Sequence, residues 1–294
     1  VPWLINLVDA SLVSRSETLV VVTKVAILMI VIVAGAPHVS PDRLEPAAWS
    51  SPLSIIAAGM LIFVAYEGFE LIANAAQDAR NPRRTLPLAY YSAVLFVIAL
   101  YVLVAIVTVG NLSIPMIIDA QDYALAAAAS PFLGNTGFTL VAIAALLSTA
   151  SAINATLYGA ARLSYIIAKE GELPEVLERR IWNKPILGLL ITTGLTLVAA
   201  NWLDLNSIAT IGSAGFLLIF SAVNVANVIL RKQTGSLGWI SGVGALACLV
   251  ALFALLWQVE MQAPLKILVL VVILGMAVGI ESLYRLLRRQ RPGF

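Results

Sequence analysis

Two carboxylates, Glu67 and Glu70, lie on either side of Gly68 and Phe69 in "FVAYEGFELIANAAQDARNP" (63–82), where an apolar run gives way to a polar one. An ionised carboxylate at mid-membrane costs about 2.5–3.5 kcal/mol on insertion scales, so the pair asks for roughly 5–7 kcal/mol. Groups this costly are kept on ion, proton or substrate pathways. Gly68 adds a weak point, at up to about 1 kcal/mol relative to alanine in a helix. Charge plus glycine near the midplane marks a discontinuous helix whose freed backbone groups line a polar cavity. The structural alternative places both glutamates at the interface. That ends the span at Tyr66 and leaves 52–66, shorter than the roughly 20 residues a crossing needs.

Lys24 is the third charge inside an apolar run. It stands seven residues into a span that follows Glu17, about 10 Å along a helix and at the limit of a lysine's snorkelling reach. Either it snorkels, or it faces the bundle, where desolvation favours the neutral amine and lets it exchange a proton during a transport cycle. Other chemistry is sparse. His38 lies in a proline-rich connection, "APHVSPDRLEPAAWSS" (36–51), with no second ligand near it in sequence, and Cys248 lies within an apolar run. A metal site and an internal disulfide are not expected. Asn111-Leu112-Ser113 fits a glycosylation sequon, a cheap match. No P-loop, nucleophile elbow, HExxH or paired-Cys motif is present.

These residues sit in a chain whose class is set by composition. Of 294 residues, 61% are hydrophobic and 12% charged, and the mean hydropathy is +0.96. Soluble domains are about 45–50% apolar and about 25% charged. The chain is expected to be an integral membrane protein. A net charge of +2 gives no field that would select nucleic acid. Apolar runs long enough to cross lie near 18–36, 52–77, 89–110, 136–162, 186–203, 208–230, 238–258 and 264–286, so eight helical spans are expected in one transmembrane domain. "YYSAVLFVIALYVLVAIVTVG" lacks the alternation of a β-barrel strand. Of the 18 basic residues, fifteen fall in one set of alternate connections, Arg43 and Lys266 in the other, and Lys24 within a span. By the excess of Lys and Arg in cytoplasmic loops, both ends of this chain are expected on the cytoplasmic side. "RLSYIIAKEGELPEVLERR" (162–180) mixes charge with apolar residues at helical spacing and reads as an interfacial helix or a plain linker. The opening "VPWLINLVDASLVSRSE" is no signal peptide. It reads as the tail of an earlier span, hence a fragment, or as a processed start.

The stretch "FVAYEGFELIANAAQDARNPRRTLPLA" (63–89) closely resembles the sixth span and following loop of the amino acid, polyamine and organocation (APC) permeases. "GAARLSYIIAKEGELP" (159–174) resembles the segment after the family's eighth span, and "SETLVVVTKVAILMIVIVAG" (16–35) its fifth span. The resemblance implies an all-α, LeuT-like inverted-repeat transporter fold of twelve spans, of which five to twelve are present with the second helix here broken. It implies that broken spans one and six cradle an amino acid. The carbonyls around Tyr66, Glu67, Gly68 and Phe69 then receive the amino group, while span one, absent from this chain, receives the carboxylate. Glu70 matches a position often acidic near the site, and is the first choice for substrate coupling or proton linkage. Lys24 looks like the lysine that in some proton-coupled relatives occupies the place of a sodium ion in the wider superfamily, a resemblance that favours proton over sodium coupling. Ser148, Thr149 and Ser151 could border that spot, or are small packing residues.

The function expected is secondary active transport of amino acids or related amines across the plasma membrane by alternating access, coupled to protons, the partners being the substrate, protons and lipid, with no cofactor. An exchanger or exporter, or a non-transporting fragment or partner subunit, is the alternative. An intramembrane enzyme would need a nucleophile with a base or a metal cluster, which the single His and Cys do not supply.

Overall fold

The structure, a computed structural model, describes residues 10–46, 49, 51–76, 79–171, 186–262, 272, 275, 279 and 282. Every regular element among them is helical. In chain order the α-helices are α1 (Ala10–Gly35), α2 (Pro52–Leu61), α3 (Pro82–Asn111), α4 (Ile114–Ala120), α5 (Ala124–Lys169), α6 (Ile186–Trp202), α7 (Leu205–Ile229), α8 (Arg231–Thr234) and α9 (Gly238–Gln262). Among the described residues six stretches are long and apolar enough to cross a membrane, and Leu187–Trp202 is a shorter apolar helix. The expected span 264–286, the eighth, lies almost wholly outside the described residues, and Asp78 and the part of the 162–180 segment beyond Gly171 lie outside them too.

The chain divides into two compact units. The first comprises 1–49, 68–165 and 179–193. Its core joins Val31 and Ile32 of α1, Leu100 and Val107 of α3, and Ala126, Ala129 and Val141 of α5. The end of α1 approaches so closely that a Cβ on Gly35 would stand 2.5 Å from Val107 and 2.7 Å from Phe132. Asn111 closes the same corner, its amide donating to the carbonyls of Gly35 (3.2 Å) and Val107 (2.8 Å). The connection after α1 folds back here too, Ser40 N–H and the Arg43 guanidinium both donating to the Gly110 carbonyl. Helix α5 runs beyond the expected 136–162 at both ends. At 46 residues it far exceeds a straight crossing, and it breaks at Gly134 (φ 62°, ψ −155°), three residues after Pro131.

The second unit comprises 50–67, 166–178 and 194–294. Helices α7 and α9 pair along Ala214, Leu217, Leu252, Leu255 and Val259, with Met60, Leu61 and Phe63 packed on that seam. Lipid tails are as apolar as these side chains, so packing and internal polar bonds hold the unit rather than transfer from water. The buried residues fit that physics: Ser207, Thr210, Ser213 and Ser221 lie buried on α7, while Trp202, Trp239 and Phe253 are exposed. The turn joining α7 to α9 is tied by Asn227, whose Nδ2 donates to Ser241 (2.8 Å) and whose Oδ1 accepts from Thr234 and Ser236. Gly235 (φ 68°) lets the chain reverse there.

Candidate functional site

The second apolar segment is discontinuous, and the division between units falls within it, between Glu67 and Gly68. Its upstream arm belongs to the second unit. Ser51 caps α2, accepting from Ser54 N–H, and Pro52 suits the first turn, where no N–H is needed. The helix ends at Leu61, where Ile62 N–H turns to the carbonyls of Ala58 and Met60, and the backbone tightens into a 3-10 turn over Ile62–Tyr66. A change from i→i−4 to i→i−3 bonding strands backbone groups that hydrocarbon cannot solvate. Ser213 of α7 receives two of them. Its Oγ accepts from Val64 N–H at 3.0 Å and donates to the Leu61 carbonyl at 3.1 Å. Glu67, extended at φ −59° and ψ 148°, ends the arm with its N–H on the Val64 carbonyl at 3.0 Å. Tyr66 and Glu67 are both half-buried.

The downstream arm belongs to the first unit. Gly68 has φ 118° and ψ −24°, a conformation that favours glycine, and it caps a second 3-10 stretch, Phe69–Ala75. Glu70 reaches back, its Oε2 accepting the Gly68 N–H at 2.8 Å. A carboxylate at the amino end of a helical stretch meets partly positive N–H groups, and a charge-assisted bond is stronger than a neutral one. The Gly68 carbonyl already accepts Leu71 N–H at 3.2 Å and keeps its second lone pair for another donor. Phe69 meets Tyr90 of α3 edge-on, centroids 6.2 Å apart at 74°. The Tyr90 hydroxyl lies against the Ala73 backbone and within the field of the Glu70 carboxylate.

The remaining candidates are less engaged. Lys24 is half-buried on α1, and its side chain makes no hydrogen bond or ion pair with a described residue. Ser148 and Ser151 are half-buried, and Thr149 is exposed with its hydroxyl on the Ala145 carbonyl at 2.8 Å. Asn111 spends its sequon amide on backbone carbonyls. His38 stacks on Phe132 at 5.7 Å, its Nδ1 donating to the Ala34 carbonyl. Among the described residues no three His, Cys, Asp or Glu side chains could hold a metal ion. Cys248 packs beside the α7–α9 seam.

Sequence reasoning centred on charge missed Ser213 and Tyr90. The signal for Ser213 was present: Ser207, Thr210 and Ser213 recur every three residues in an otherwise apolar run, which puts polar groups on one helix face. Nothing in the sequence singles out Tyr90 from its neighbour Tyr91.

The sequence profile of the family described as "Amino acid permease" matches residues 1–280. An uncharacterized protein of Methanocaldococcus jannaschii is 40% identical over 232 residues, covering 79% of this chain and 53% of that protein. The inner membrane transport protein YbaT of Escherichia coli is 32% identical over 259 residues, 88% of this chain and 60% of its own length. The branched-chain amino acid permease BcaP of Bacillus subtilis is 24% identical over 258 residues, 83% of this chain and 54% of its own. The chain thus spans little more than half the length of these curated relatives.

Proposed function

This chain belongs to the amino acid permease family, within the APC group, and on that premise we propose that it forms part of a secondary transporter that moves amino acids or related amines across the plasma membrane. It is a multi-pass membrane protein of an all-α transporter fold, with both ends of the chain on the cytoplasmic side in this reading. The observation that carries the proposal is the broken segment, a 3-10 arm ending at Glu67 and a second arm opening at Gly68 with Glu70 folded onto it.

In this reading the backbone carbonyls of Tyr66, Glu67, Gly68 and Phe69 take the substrate's amino group, those of Tyr66 and Glu67 because they close the upstream arm, whose carboxyl end is partly negative, and those of Gly68 and Phe69 because they follow directly in the break. Glu70 links the site to protons. Protonated, it loses the charge that holds Gly68 N–H, so the downstream arm is loosened when a proton binds. Lys24 supplies the second proton site, with Ser148, Thr149 and Ser151 on α5 lining the same pathway. Alternating access then moves one set of helices against another around the fixed break.

The test is uptake of labelled amino acids by the complete native protein in proteoliposomes, with and without an inward proton gradient. Gradient-driven accumulation that Glu70→Gln uncouples, at unchanged expression, is expected. Uptake by that variant matching wild type at every pH would sink the assignment of Glu70.

A further inference from the structure

We propose that Ser213 is a positioning residue for substrate recognition: its hydroxyl holds the upstream arm of the broken helix in its unwound form and so places the carbonyls of Tyr66 and Glu67 that end that arm. The inference rests on the reading that those carbonyls receive an amino group. A serine hydroxyl offers one donor and two acceptor sites. Ser213 uses its proton on the Leu61 carbonyl and a lone pair on Val64 N–H, and with 0% of its surface exposed no water competes for either.

Both bonds join segments about 150 positions apart, at the step where α2 gives way to the 3-10 turn. In a continued α-helix, Val64 N–H would bond to Met60 and the Leu61 carbonyl to Ala65 N–H. The single proton of Val64 N–H would then be taken, and the hydroxyl at 213 would keep only the second lone pair of the Leu61 carbonyl. It therefore bonds the unwound conformer more strongly than the continuous one, which is the differential interaction needed to bias an equilibrium.

The neighbours support this geometry. Gly212 keeps α7 close, since a Cβ there would come within 3.0 Å of Val64, and Phe63 meets Phe220 edge-on at 6.1 Å. Other hydroxyls on the same face bond within their own helix: Thr210 to the Asn206 carbonyl, and Ser207 to the Asp204 carboxylate that caps α7. Ser213 reaches off its helix to the break. A plain interhelical bond would cost stability when removed and leave recognition unchanged.

The experiment measures uptake kinetics of the complete protein in proteoliposomes for wild type, Ser213→Ala and Ser213→Thr, alongside melting temperature. Ser213→Ala should raise KM about tenfold or more, as loss of two buried bonds implies, with maximal rate changed by less than about twofold. Ser213→Thr, which keeps the hydroxyl, should return KM toward wild type. If the alanine variant is not monodisperse, Ser213→Cys takes its place, its weak thiol raising KM severalfold. A wild-type KM in the alanine or cysteine variant, or a threonine variant as impaired as alanine, would overturn the role of Ser213 while leaving the transport reading intact. Wild type that takes up no amino acid or amine removes that reading, and this inference with it.

Discussion

Gly68→Ala separates space from backbone strain. A Cβ at residue 68 would meet nothing within 4 Å, so the substitution creates no collision. The cost lies in φ 118°, which L side chains rarely adopt, and holding a non-glycine residue in such a region costs about 1–3 kcal/mol. Alanine also favours the competing continuous helix over glycine by about 1 kcal/mol. The swing against the broken conformer is then about 2–4 kcal/mol, and apparent affinity falls by the fraction of broken conformer lost. We expect substrate affinity to drop at least about tenfold, since about 1.4 kcal/mol is one decade. The assay is equilibrium binding of labelled amino acid to the purified complete protein. Gly134 is the internal control. It also has positive φ with open space around its Cβ position, but lies at the α5 bend. Gly134→Ala should lower the melting temperature and leave affinity within about threefold, given the same strain range of about 1–3 kcal/mol at a site remote in sequence from the break. Wild-type affinity in Gly68→Ala would refute the reasoning.

Other outcomes follow from the same geometry. Tyr90→Phe keeps the ring against Phe69 and removes the hydroxyl at Ala73, so it should alter the pH profile of uptake with little loss of stability, whereas Tyr90→Ala should lose both; identical profiles for Tyr90→Phe and wild type would contradict this. Gly35→Ala forces a Cβ into Val107 and Phe132 and should cost about 1–3 kcal/mol by overpacking, read as a lower melting temperature in detergent. Lys24→Ala should weaken the dependence of uptake on an imposed pH gradient. If the gradient drives uptake as before, Lys24 only anchors its helix at the interface.

The membrane class and the break were legible because both are written in residue type. Apolar runs of about 20 residues have few other uses, and two carboxylates flanking a glycine in such a run announce an interruption. What holds the break was harder to read. Val64 N–H and the Leu61 carbonyl are backbone groups, carrying no side-chain signature, and their partner Ser213 lies about 150 positions away. The spacing of Ser207, Thr210 and Ser213 marks a polar face, but small residues also mark ordinary helix contacts. Tyr90 illustrates the same limit: Tyr90 and Tyr91 are identical in type, and only the fold turns Tyr90 toward Phe69 and leaves Tyr91 exposed. Helix α5 extends past the span expected at 136–162: "ALAAAASPFLGNTG" (124–137) carries a proline and two glycines, yet the helix runs through them with one bend at Gly134.

The most direct test of the central claim, that the stretch around Gly68 receives the substrate's amino group, is a binding cycle. Affinities of an amino acid and of its des-amino analogue are measured on the complete wild-type protein and on Gly68→Ala. The account predicts that the amino acid loses at least about tenfold in the variant, while the analogue, already bound weakly, loses little more. Equal losses for both ligands would show that the break does not contact the amino group and would contradict the account.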